Sequence, residues 1–516
     1  MRPVGVIILA AGKGTRMRSR LPKVAHQLAG RAMLEHAIRA AADAVASPAS
    51  VTSAEDESGD DGSDHSSRFI VVVGHEAEAV RSAVSWRPAT GELSWVTQER
   101  QLGTGDAVRV AQEAMTRGEA RDAAPRTILV TYGDTPLVRA ETLRRLLAEH
   151  ERAGATLTFL TGQTTEPNDY GRVLRDDAGR VRGIVEAKHA TPTELAIPEV
   201  NSGIYAFAAD WLWSRLGQLE PHLNGEYYLT DLVAVAVREG RPVATHSVAL
   251  TETMGVNDRV ALAEAESILR ARLLRDLMLS GVTIEDPATT YAHAGVRVGQ
   301  DTIIRPGCHL LGNTVIGEGC DIGPASVIRD SQIGEGCQVQ ASWVEEALME
   351  PGSRIGPMSH LRPGAHLLPG ANLGNFAEVK NSVIGERVQM HHFSYMGDAS
   401  VGADTNVGAG TISMNYDGRN KHRTIIGERV FLGCDTLLRA PITIGDDANT
   451  GAGAVVTRDV PAGALVVGAP ARVVQRVLSE GQVAADISTA AEDQAQASVR
   501  DGAAEDTPAQ PEGKRE

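Results

Sequence analysis

An apolar run, a glycine-rich turn and a group of basic side chains follow one another in GVIILAAGKGTRMRSRLPK, residues 5–23. A strand that leads into a glycine-rich turn presents backbone N–H groups that can bind a phosphate. Arg16 and Lys23 add positive charge, which stabilises phosphate oxygens most when negative charge accumulates in a transition state. The segment therefore predicts a phosphate-binding loop.

Two common phosphate-binding motifs do not fit this loop. A P-loop requires G-x-x-x-x-G-K-[ST], which the residues after Gly12 do not provide, and the dinucleotide fingerprint fails because no third glycine follows Gly14 at the required spacing. The segments LAAGKGTRM and LPK instead match the signature of the sugar-phosphate nucleotidyltransferases, which the chain resembles here. The resemblance implies that the loop binds a nucleoside triphosphate.

A second group of chemically capable residues lies in MHHFSYMGD, residues 390–398. An imidazole whose pKa is near neutrality can remove a proton from an amine as that amine attacks a thioester. Successive side chains of a strand face opposite ways, so His391 and His392 are not expected to bind one metal ion together. The four cysteines match no metal-binding spacing.

The elements that must position the first group alternate between strands and helices. VGVIILAA, RFIVVVG, LSWVTQ, RTILVTYGD and ATLTFLTG are rich in β-branched residues, as strands buried on both faces are. Amphipathic stretches such as ETLRRLLAEHERAG lie between several of them. This alternation predicts a mostly parallel sheet flanked by helices, an α/β Rossmann-like domain over residues 1–256. Leucines at helical spacing before Gly281 predict one connecting helix over 257–281.

The chain after residue 282 repeats with a period of six. Aliphatic residues occupy positions 304, 310, 316, 322 and 328, and again 426, 432, 438 and 444. Such a period is typical of stacked β-solenoids. It resembles the left-handed parallel β-helix of the hexapeptide acyltransferases, which implies an all-β domain over 282–478 and association as a homotrimer. Cys308, Cys320 and Cys337 each precede a repeat aliphatic by two residues, which predicts packing inside this domain.

Composition excludes several classes of protein. The net charge of −16 over 516 residues argues against a nucleic-acid partner, which needs a basic surface. No apolar run reaches the ~20 residues of a membrane span, and Val4–Ala11 does not lead into a signal-peptide cleavage site, so we expect a cytoplasmic protein without a membrane partner. The acidic insert 47–67 and the polar tail 479–516 have too few apolar residues to offset the entropy of ordering, and we expect both to be disordered.

The two halves together resemble the bifunctional family that joins an N-acetylglucosamine-1-phosphate uridylyltransferase to a glucosamine-1-phosphate N-acetyltransferase in bacterial cell-wall synthesis. QLGTGDA, YGDTPL, YGR, IVEAK, VNSGIY and GVNDR add to the match. The resemblance implies that Mg²⁺ binds Asp134 and Asn257, which suits a metal that takes oxygen ligands. It also implies a binding site for UTP and the sugar made of Leu9, Ala10, Ala11, Gly12, Arg16, Lys23, Gln98, Gly103, Thr104, Tyr132, Gly133, Asp134, Gly171, Glu186, Asn201 and Asn257.

The same resemblance implies that His392 is the general base of acetyl transfer. Cys434 stands where family members usually have serine, and because a thiol is the weaker donor we expect one weaker contact to acetyl-CoA. Either Arg458 or Arg472 is a candidate for a further basic contact in the last coil. Glucosamine-1-phosphate would contact Arg362, Lys380, Tyr395 and Asn406, and acetyl-CoA would contact Ala409, Asn415, Tyr416, Lys421, Cys434 and Ala452.

The implied function is the synthesis of UDP-N-acetylglucosamine, by acetylation and then uridylylation with release of pyrophosphate. Two alternatives stay open: another sugar-1-phosphate nucleotidyltransferase joined to a β-helix, and a non-catalytic scaffold with the same two domains. MHHFSYMGD and NYDG disfavour the first alternative, because such a solenoid would need no acetyl-transfer base. The presence of Lys23, Asp134, Asn257 and His392 disfavours the second.

Overall fold

The computed structural model describes residues 3–46, 67–74, 76–89, 91–117, 124–166 and 169–474. The chain divides into two compact units, Met1–Ala271 and Arg272–Glu516. Residues 47–66 of the acidic insert and the whole predicted tail, 479–516, lie outside the described residues. Within those ranges, none of the helices has both the length and the apolar character needed to cross a lipid bilayer.

The first unit is an α/β domain. Its main sheet has the strand order β11-β7-β10-β6-β1-β4-β5 within the described ranges, and β8 and β9 form a hairpin beside β10. The strands are β1 (Val4–Ala10), β2 (Gln27–Leu28), β3 (Arg31–Ala32), β4 (Arg68–Val73), β5 (Glu92–Thr97), β6 (Thr127–Tyr132), β7 (Leu157–Gln163), β8 (Arg172–Arg175), β9 (Val181–Val185), β10 (Glu199–Ala208) and β11 (Val243–Ser247). The helices are α1 (Met33–Val45), α2 (Ala77–Ser82), α3 (Thr104–Thr116), α4 (Ala140–Arg152), α5 (Pro192–Leu195), α6 (Ala209–Leu216), α7 (Asp231–Arg238) and α8 (Arg259–Leu279).

The five apolar runs of the sequence are confirmed as β1, β4, β5, β6 and β7. Strand β1 is buried along its whole length, and its alternate residues face two different cores, with Ile7 and Leu9 in one and Val6 and Ile8 in the other. β1 pairs in parallel with β4 and β6, as predicted. The sequence did not predict β10, which runs antiparallel to β6 and β7 and separates them.

Helix α8 leads from the first unit into the second. Asp258 caps its first turn by accepting hydrogen bonds from the backbone N–H groups of Val260 at 3.0 Å and Ala261 at 2.9 Å. Leu262 lies against a core cluster of the first unit, and Leu274 belongs to the core of the second. The apolar spacing of the sequence is thus explained by packing at both ends of the helix.

The second unit is a β-solenoid of three stacked sheets, the arrangement of a left-handed parallel β-helix. Its strands pair in parallel from coil to coil, except for the last two of the first sheet, which are antiparallel. The first solenoid sheet contains Thr283–Ile284, Ile303–Ile304, Asp321–Ile322, Gln338–Val339, Arg354–Ile355, Asn372–Leu373, Gln389–Met390, Asn406–Val407, Phe431–Leu432, Asn449–Thr450, Leu465–Val467 and Arg472–Val474. The second contains Tyr291–Ala292, His309–Leu311, Val327–Arg329, Trp343–Glu345, His360–Leu361, Ala377–Lys380, Ser394–Gly397, Ile412–Met414, Leu437–Arg439 and Val455–Val456. The third contains Arg297–Val298, Val315–Ile316, Gln332–Ile333, Leu348–Met349, His366–Leu367, Val383–Ile384, Ala399–Val401, Thr424–Ile426 and Ile442–Ile444.

The six-residue period of the sequence is the interior of this solenoid. Every aliphatic residue named for the repeat is buried, for example Ile322 and Leu432. Cys308, Cys320 and Cys337 are buried in the same core, and burial raises the pKa of each thiol, so these cysteines pack as small apolar side chains. Cys434 is exposed.

Two neighbouring isoleucines provide a test of this packing. Ile426 is 2% exposed in the solenoid core, whereas Ile425 is 48% exposed on the opposite side of the same strand. We expect Ile426→Ala to lower the free energy of unfolding of the β-helix by about 2–5 kcal/mol, because it leaves a cavity. Ile425→Ala should change it by less than ~0.5 kcal/mol. Urea denaturation of the full chain, followed by circular dichroism, measures both, and equal effects would contradict the assignment of the inward face.

Candidate active sites

A cavity of about 490 Å³ lies at the carboxyl ends of β1 and β6, where ligands of parallel sheets usually bind. Gly133 connects the two strand ends by donating its backbone N–H to the Leu9 carbonyl at 2.9 Å. Arg16 is exposed in the turn Thr15–Met17 and is not among the residues that line this cavity in the described part of the chain. The predicted residues that do line it are Leu9, Ala10, Ala11, Gly12, Lys23, Gln98, Gly103, Thr104, Tyr132 and Asp134.

The glycine-rich turn folds back onto the LPK segment. Gly14 has a φ of +59°, and a Cβ placed there would lie 2.5 Å from the Cβ of Lys23, so only glycine fits. A Cβ on Gly12 would meet nothing within 4 Å, which leaves the backbone of the turn open to the cavity. The turn can therefore approach a phosphate closely.

Lys23, Asp134 and Asn257 meet in the first unit, although they lie far apart in the sequence. The Lys23 ammonium is hydrogen-bonded to Asp134 Oδ2 and donates to Asn257 Oδ1 at 3.1 Å. The Val256 backbone N–H donates to the Asp134 carbonyl at 2.8 Å, which fixes the GVNDR segment beside the end of β6. A carboxylate oxygen and an amide oxygen thus converge on one cationic position, which fits the donor set of Mg²⁺.

The QLGTGDA segment is held by the chain around Tyr227. Gln98 is buried, and its amide donates to the Gly103 carbonyl at 3.2 Å and to Asp106 Oδ2 at 2.7 Å. Gly103 has a φ of +96°, and a Cβ there would lie 2.6 Å from the Tyr227 carbonyl oxygen. Thr104 Oγ1 accepts a hydrogen bond from the Leu229 N–H at 3.1 Å. These contacts give the cavity a preformed wall.

A second cavity, of about 320 Å³, shares Thr104, Tyr132 and Asp134 with the first and contains the predicted Gly171, Glu186 and Asn201. The Asn201 amide donates to the Tyr205 hydroxyl at 2.7 Å and accepts from the Gly203 N–H at 3.1 Å. Glu186 Oε1 accepts from the Thr230 hydroxyl at 2.9 Å. The sugar-side residues predicted from the sequence therefore surround one space adjoining the first cavity.

Tyr132 lines both cavities, and its surroundings keep its phenol uncharged. Burial raises the pKa of Tyr132, and the nearby carboxylates of Asp134 and Glu186 raise it further. Tyr205, which accepts a hydrogen bond from Asn201, is fully buried, and burial raises its pKa well above the ordinary value. Both hydroxyls are therefore neutral hydrogen-bonding groups at physiological pH.

Several lining residues were missed from the sequence. Tyr228 lines both cavities, with the Lys188 ammonium 4.6 Å from its ring centroid and the Asn224 amide donating to its hydroxyl at 2.7 Å. Gln101 belongs to the motif QLGTGDA, so the sequence could have identified it as a binding residue. Tyr228 and Thr230 lie in EYYLTD, which shows no feature beyond an ordinary beginning of α7. The missed residues include Lys13, Gln101, Tyr170, Lys188, Glu226, Tyr228 and Thr230.

In the second unit, three of the predicted residues share the second solenoid sheet. Lys380 is in register with Gly397, and Tyr395 is in register with Glu378. Arg362 follows the strand His360–Leu361 and donates to Glu378 Oε1 at 2.7 Å, which raises the pKa of Arg362. Asn406 lies in the first solenoid sheet and is exposed, so it is on a different sheet from these three.

His392 is exposed at the corner between the strands Gln389–Met390 and Ser394–Gly397. Because neither His391 nor His392 lies within a strand, the argument from strand alternation was wrong for this pair. His391 is instead bonded through Nε2 to Gln389 Oε1 at 2.8 Å. In the described ranges, no group of three or more histidine, cysteine, aspartate or glutamate side chains is placed to hold a metal.

His392 begins a column of residues along this corner. Each member is the second residue after a strand of the first solenoid sheet, and the strands are in register from coil to coil. Backbone hydrogen bonds connect the column: Asp435 N–H donates to the Ala409 carbonyl at 2.6 Å, and Gly453 N–H to the Cys434 carbonyl at 2.8 Å. The predicted coenzyme contacts Ala409, Cys434 and Ala452 thus lie one, two and three coils from His392.

The coil after Tyr395 carries an insertion between the strands Ile412–Met414 and Thr424–Ile426. Tyr416 and Lys421 pair across it in an antiparallel bridge. Asp417 accepts from the Asn420 and Arg419 N–H groups at 2.7 and 2.8 Å and is bonded to His422 Nε2 at 2.7 Å. These hydrogen bonds lower the pKa of Asp417 to about 2, and the one from the Asn420 backbone has the largest effect. The insertion is therefore an ordered loop.

Three cations are gathered at the edge of this loop. The Lys421 ammonium lies beside that of Lys380, and it lowers the pKa of Lys380, with a smaller effect from Arg362. Like charges brought together in this way repel one another. A phosphate dianion bound among them would relieve the repulsion and gain charge-assisted hydrogen bonds.

Comparisons with known proteins cover both units. The profile of the MobA-like NTP transferase domain matches residues 6–191, and that of the bacterial transferase hexapeptide (six repeats) matches residues 295–330. The chain is 45% identical over 470 residues to "Bifunctional protein GlmU" of Pelobacter propionicus, covering 90% of this chain and 96% of that protein. The protein of the same name from Thermobifida fusca is 44% identical over 477 residues, covering 92% and 94%. That from Nocardia farcinica is 41% identical over 497 residues, covering 94% of each chain.

The charge cluster gives a testable pKa. Lys421→Met removes the cation that lowers the pKa of Lys380 most, so that pKa should rise toward its ordinary value. Lysine 13Cε chemical shifts of the labelled full chain, followed over a pH titration, measure it. Arg423→Met, in the same insertion, is the control and should leave the Lys380 titration unchanged. An unchanged pKa in the Lys421 variant would show that the two ammonium groups are not neighbours.

Proposed function

The chain belongs to the family of bifunctional GlmU proteins, and we propose which residues carry out each of its two reactions. It is a transferase that makes UDP-N-acetylglucosamine with an acetyltransferase and a uridylyltransferase domain. One reaction moves an acetyl group from acetyl-CoA to glucosamine-1-phosphate. The other moves the uridylyl group of UTP to N-acetylglucosamine-1-phosphate and releases pyrophosphate.

Uridylyl transfer is assigned to the paired cavities of the first unit. The UTP site would be formed by Leu9–Gly12, Gln98, Gly103 and Thr104, with Arg16 and Lys23 on the phosphates. Gly171, Glu186 and Asn201 would hold the sugar, and Tyr132 to Asp134 lie between the two. A phosphate oxygen of the sugar phosphate attacks the α-phosphorus of UTP, and the bond to pyrophosphate breaks. The residues act by positioning and electrostatic stabilisation, and no covalent enzyme intermediate is needed.

Mg²⁺ is the proposed cofactor of this reaction, with Asp134 and Asn257 as its protein ligands. Support comes from the two side-chain oxygens that already converge on the Lys23 ammonium. When bound, the metal would neutralise charge on the triphosphate. Lys23 remains close to the same position, where it can bind a phosphate oxygen.

Acetyl transfer is assigned to His392 and its surroundings. As the glucosamine nitrogen attacks the thioester carbonyl, His392 takes the proton from the nitrogen, and coenzyme A leaves as the thiolate. Arg362, Lys380, Tyr395 and Asn406 would hold the sugar phosphate. The corner column Ala409, Cys434 and Ala452, with Asn415 and Tyr416, would hold acetyl-CoA.

Lys421 is the one residue whose surroundings favour a different partner from the one expected. The sequence suggested a coenzyme phosphate, but the Lys421 ammonium lies beside Lys380. We assign it to the phosphate of glucosamine-1-phosphate, because one dianion can then neutralise both ammonium groups. The basic contact to coenzyme A is left to Arg458 or Arg472, both exposed near the end of the solenoid.

The proposal also includes the domain limits 1–256, 257–281 and 282–478, a cytoplasmic location, where UTP and acetyl-CoA are found, and assembly as a homotrimer. The hexapeptide solenoid is consistent with oligomer formation. Large apolar side chains are exposed on its second sheet and corners, including Trp343 at 49% and Phe376 at 63%. A homotrimer interface would cover such exposed apolar side chains. No observation favours the alternatives of another nucleotide donor or a non-catalytic scaffold.

The assignment predicts that the two activities can be lost separately. Asp134→Ala should abolish pyrophosphate release from UTP, with acetyl transfer intact, because the loss of the carboxylate removes the proposed metal ligand. His392→Ala should lower acetyl transfer at least ~100-fold, the usual contribution of a general base, and leave uridylyl transfer intact. Both reactions are assayed on the same folded preparation, and EDTA should reproduce the first effect but not the second. Loss of both activities from either folded variant would refute the two-site assignment.

A further inference from the structure

Asp398 lies among the cations of the proposed acetyl-transfer site without being one of the predicted contacts. It occupies the turn between the strands Ser394–Gly397 and Ala399–Val401, with a φ of +51°. Its side chain is partly buried. A partly buried carboxylate in a site for an anionic substrate is unfavourable for binding, so its presence requires another role.

The contacts of Asp398 connect three parts of the chain. Its backbone N–H donates to the Lys380 carbonyl at 3.1 Å, and its carbonyl accepts from the Thr424 N–H at 3.2 Å. Oδ1 accepts from the Asn381 amide at 2.6 Å, and Oδ2 accepts from the Asn415 amide at 2.5 Å. Asn415 begins the inserted loop and Thr424 follows its end, so one residue anchors both ends of the loop that carries Lys421.

The charge of Asp398 acts on the same loop. Burial raises its pKa, but the amide hydrogen bonds and the charges of Lys421 and Lys380 lower it overall, so the carboxylate is ionised. Lys380 in turn faces Lys421, Arg362 and Asp398, and of these only Asp398 favours its protonated form. Two further carboxylates act on Arg362: Glu378, which is bonded to it, and Glu345.

We propose that Asp398 is a positioning residue for acetyl transfer: it holds the loop 415–423 so that Lys421 and Lys380 stand side by side and charged before the sugar phosphate binds. This inference rests on the proposed sugar-phosphate site. Without the carboxylate, two adjacent ammonium groups would separate or lose a proton. Binding of the sugar phosphate would then have to bring the two ammonium groups together, and this cost in free energy would weaken the affinity for the substrate.

The test is Asp398→Asn in the full-length chain. Asparagine keeps the size of the side chain but has one NH2 group where Asp398 has a second acceptor oxygen. It can therefore accept only one of the two hydrogen bonds from Asn381 and Asn415, and the other is lost. The KM for glucosamine-1-phosphate should rise about tenfold or more, which corresponds to one charge-assisted contact of ~1.4 kcal/mol. The KM for acetyl-CoA should change less than about twofold, and uridylyl transfer by the same preparation should not change.

The pH profile separates this role from a purely structural one. Asp398 raises the pKa of Lys380, so loss of its negative charge should lower that pKa, and Lys380 should lose its proton at a lower pH than in the unmodified protein. The alkaline limb of kcat/KM for glucosamine-1-phosphate should therefore shift to lower pH in the variant. A higher KM with an unshifted alkaline limb would refute the proposal, since a merely distorted loop changes affinity without changing this titration.

Two further variants complete the experiment. Asp404→Asn is the matched control, because Asp404 also has a positive φ, of +57°, but its carboxylate binds Arg387 at 2.7 and 2.8 Å. It should leave every acetyl-transfer parameter unchanged. In a double-mutant cycle, Lys421→Met should add little to Asp398→Asn, because both remove the same paired arrangement. Full additivity, or an Asp404 variant with the same effect, would refute the inference. Absence of acetyl transfer in the unmodified protein would instead refute the proposed function.

Discussion

Backbone pairing between successive coils of the solenoid brings residues about 17 positions apart to within roughly 4.8 Å of one another. This constraint turns a one-dimensional repeat into columns of equivalent positions. The aliphatic column faces inward and forms the core, and the corner column carries His392, Ala409, Cys434 and Ala452. The core therefore fixes the spacing of the residues in the corner column, although none of its side chains is among the proposed site residues.

The first unit uses parallel pairing in another way. β1, β4, β5 and β6 all end at the same edge of the sheet, and the segments that follow β1, β5 and β6 meet around one cavity. The end of β6 is joined to β1 through Gly133 and to the GVNDR segment through the Asp134 carbonyl. Because these contacts are made by the backbone, the side chain of Asp134 is left available for a cation.

Charge is arranged differently in the two sites. In the first, a single lysine is bonded to a carboxylate and an amide, so the cation is balanced before any substrate is present. In the second, Arg362, Lys380 and Lys421 are gathered near the carboxylates of Glu378, Glu345 and Asp398. In the first arrangement, a bound metal ion could replace Lys23 beside Asp134 and Asn257, and Lys23 could then bind a phosphate. The second suits capture of a phosphate dianion from solution.

The sequence alone determined the fold class, and it predicted many of the residues that line the two cavities of the first unit, because both depend on local patterns. The six-residue period fixes which side chains face inward. LAAGKGTRM with LPK fixes the glycine-rich turn, because a Cβ on Gly14 would clash with Lys23. Neither pattern required knowledge of distant contacts.

Tertiary structure decided the features that depend on residues far apart in the chain. The residues of β10 do not show the direction in which the strand runs, and only its antiparallel pairing with β6 and β7 reveals it. Tyr228 reaches both cavities because the segment before α7 packs on Gly103 and Thr104. Asp398 and Lys421 are functionally linked only because the turn, the inserted loop and the Lys380 strand meet at one corner. Hydrogen bonds and Coulomb forces act through space, and a sequence pattern shows only which groups are available for them.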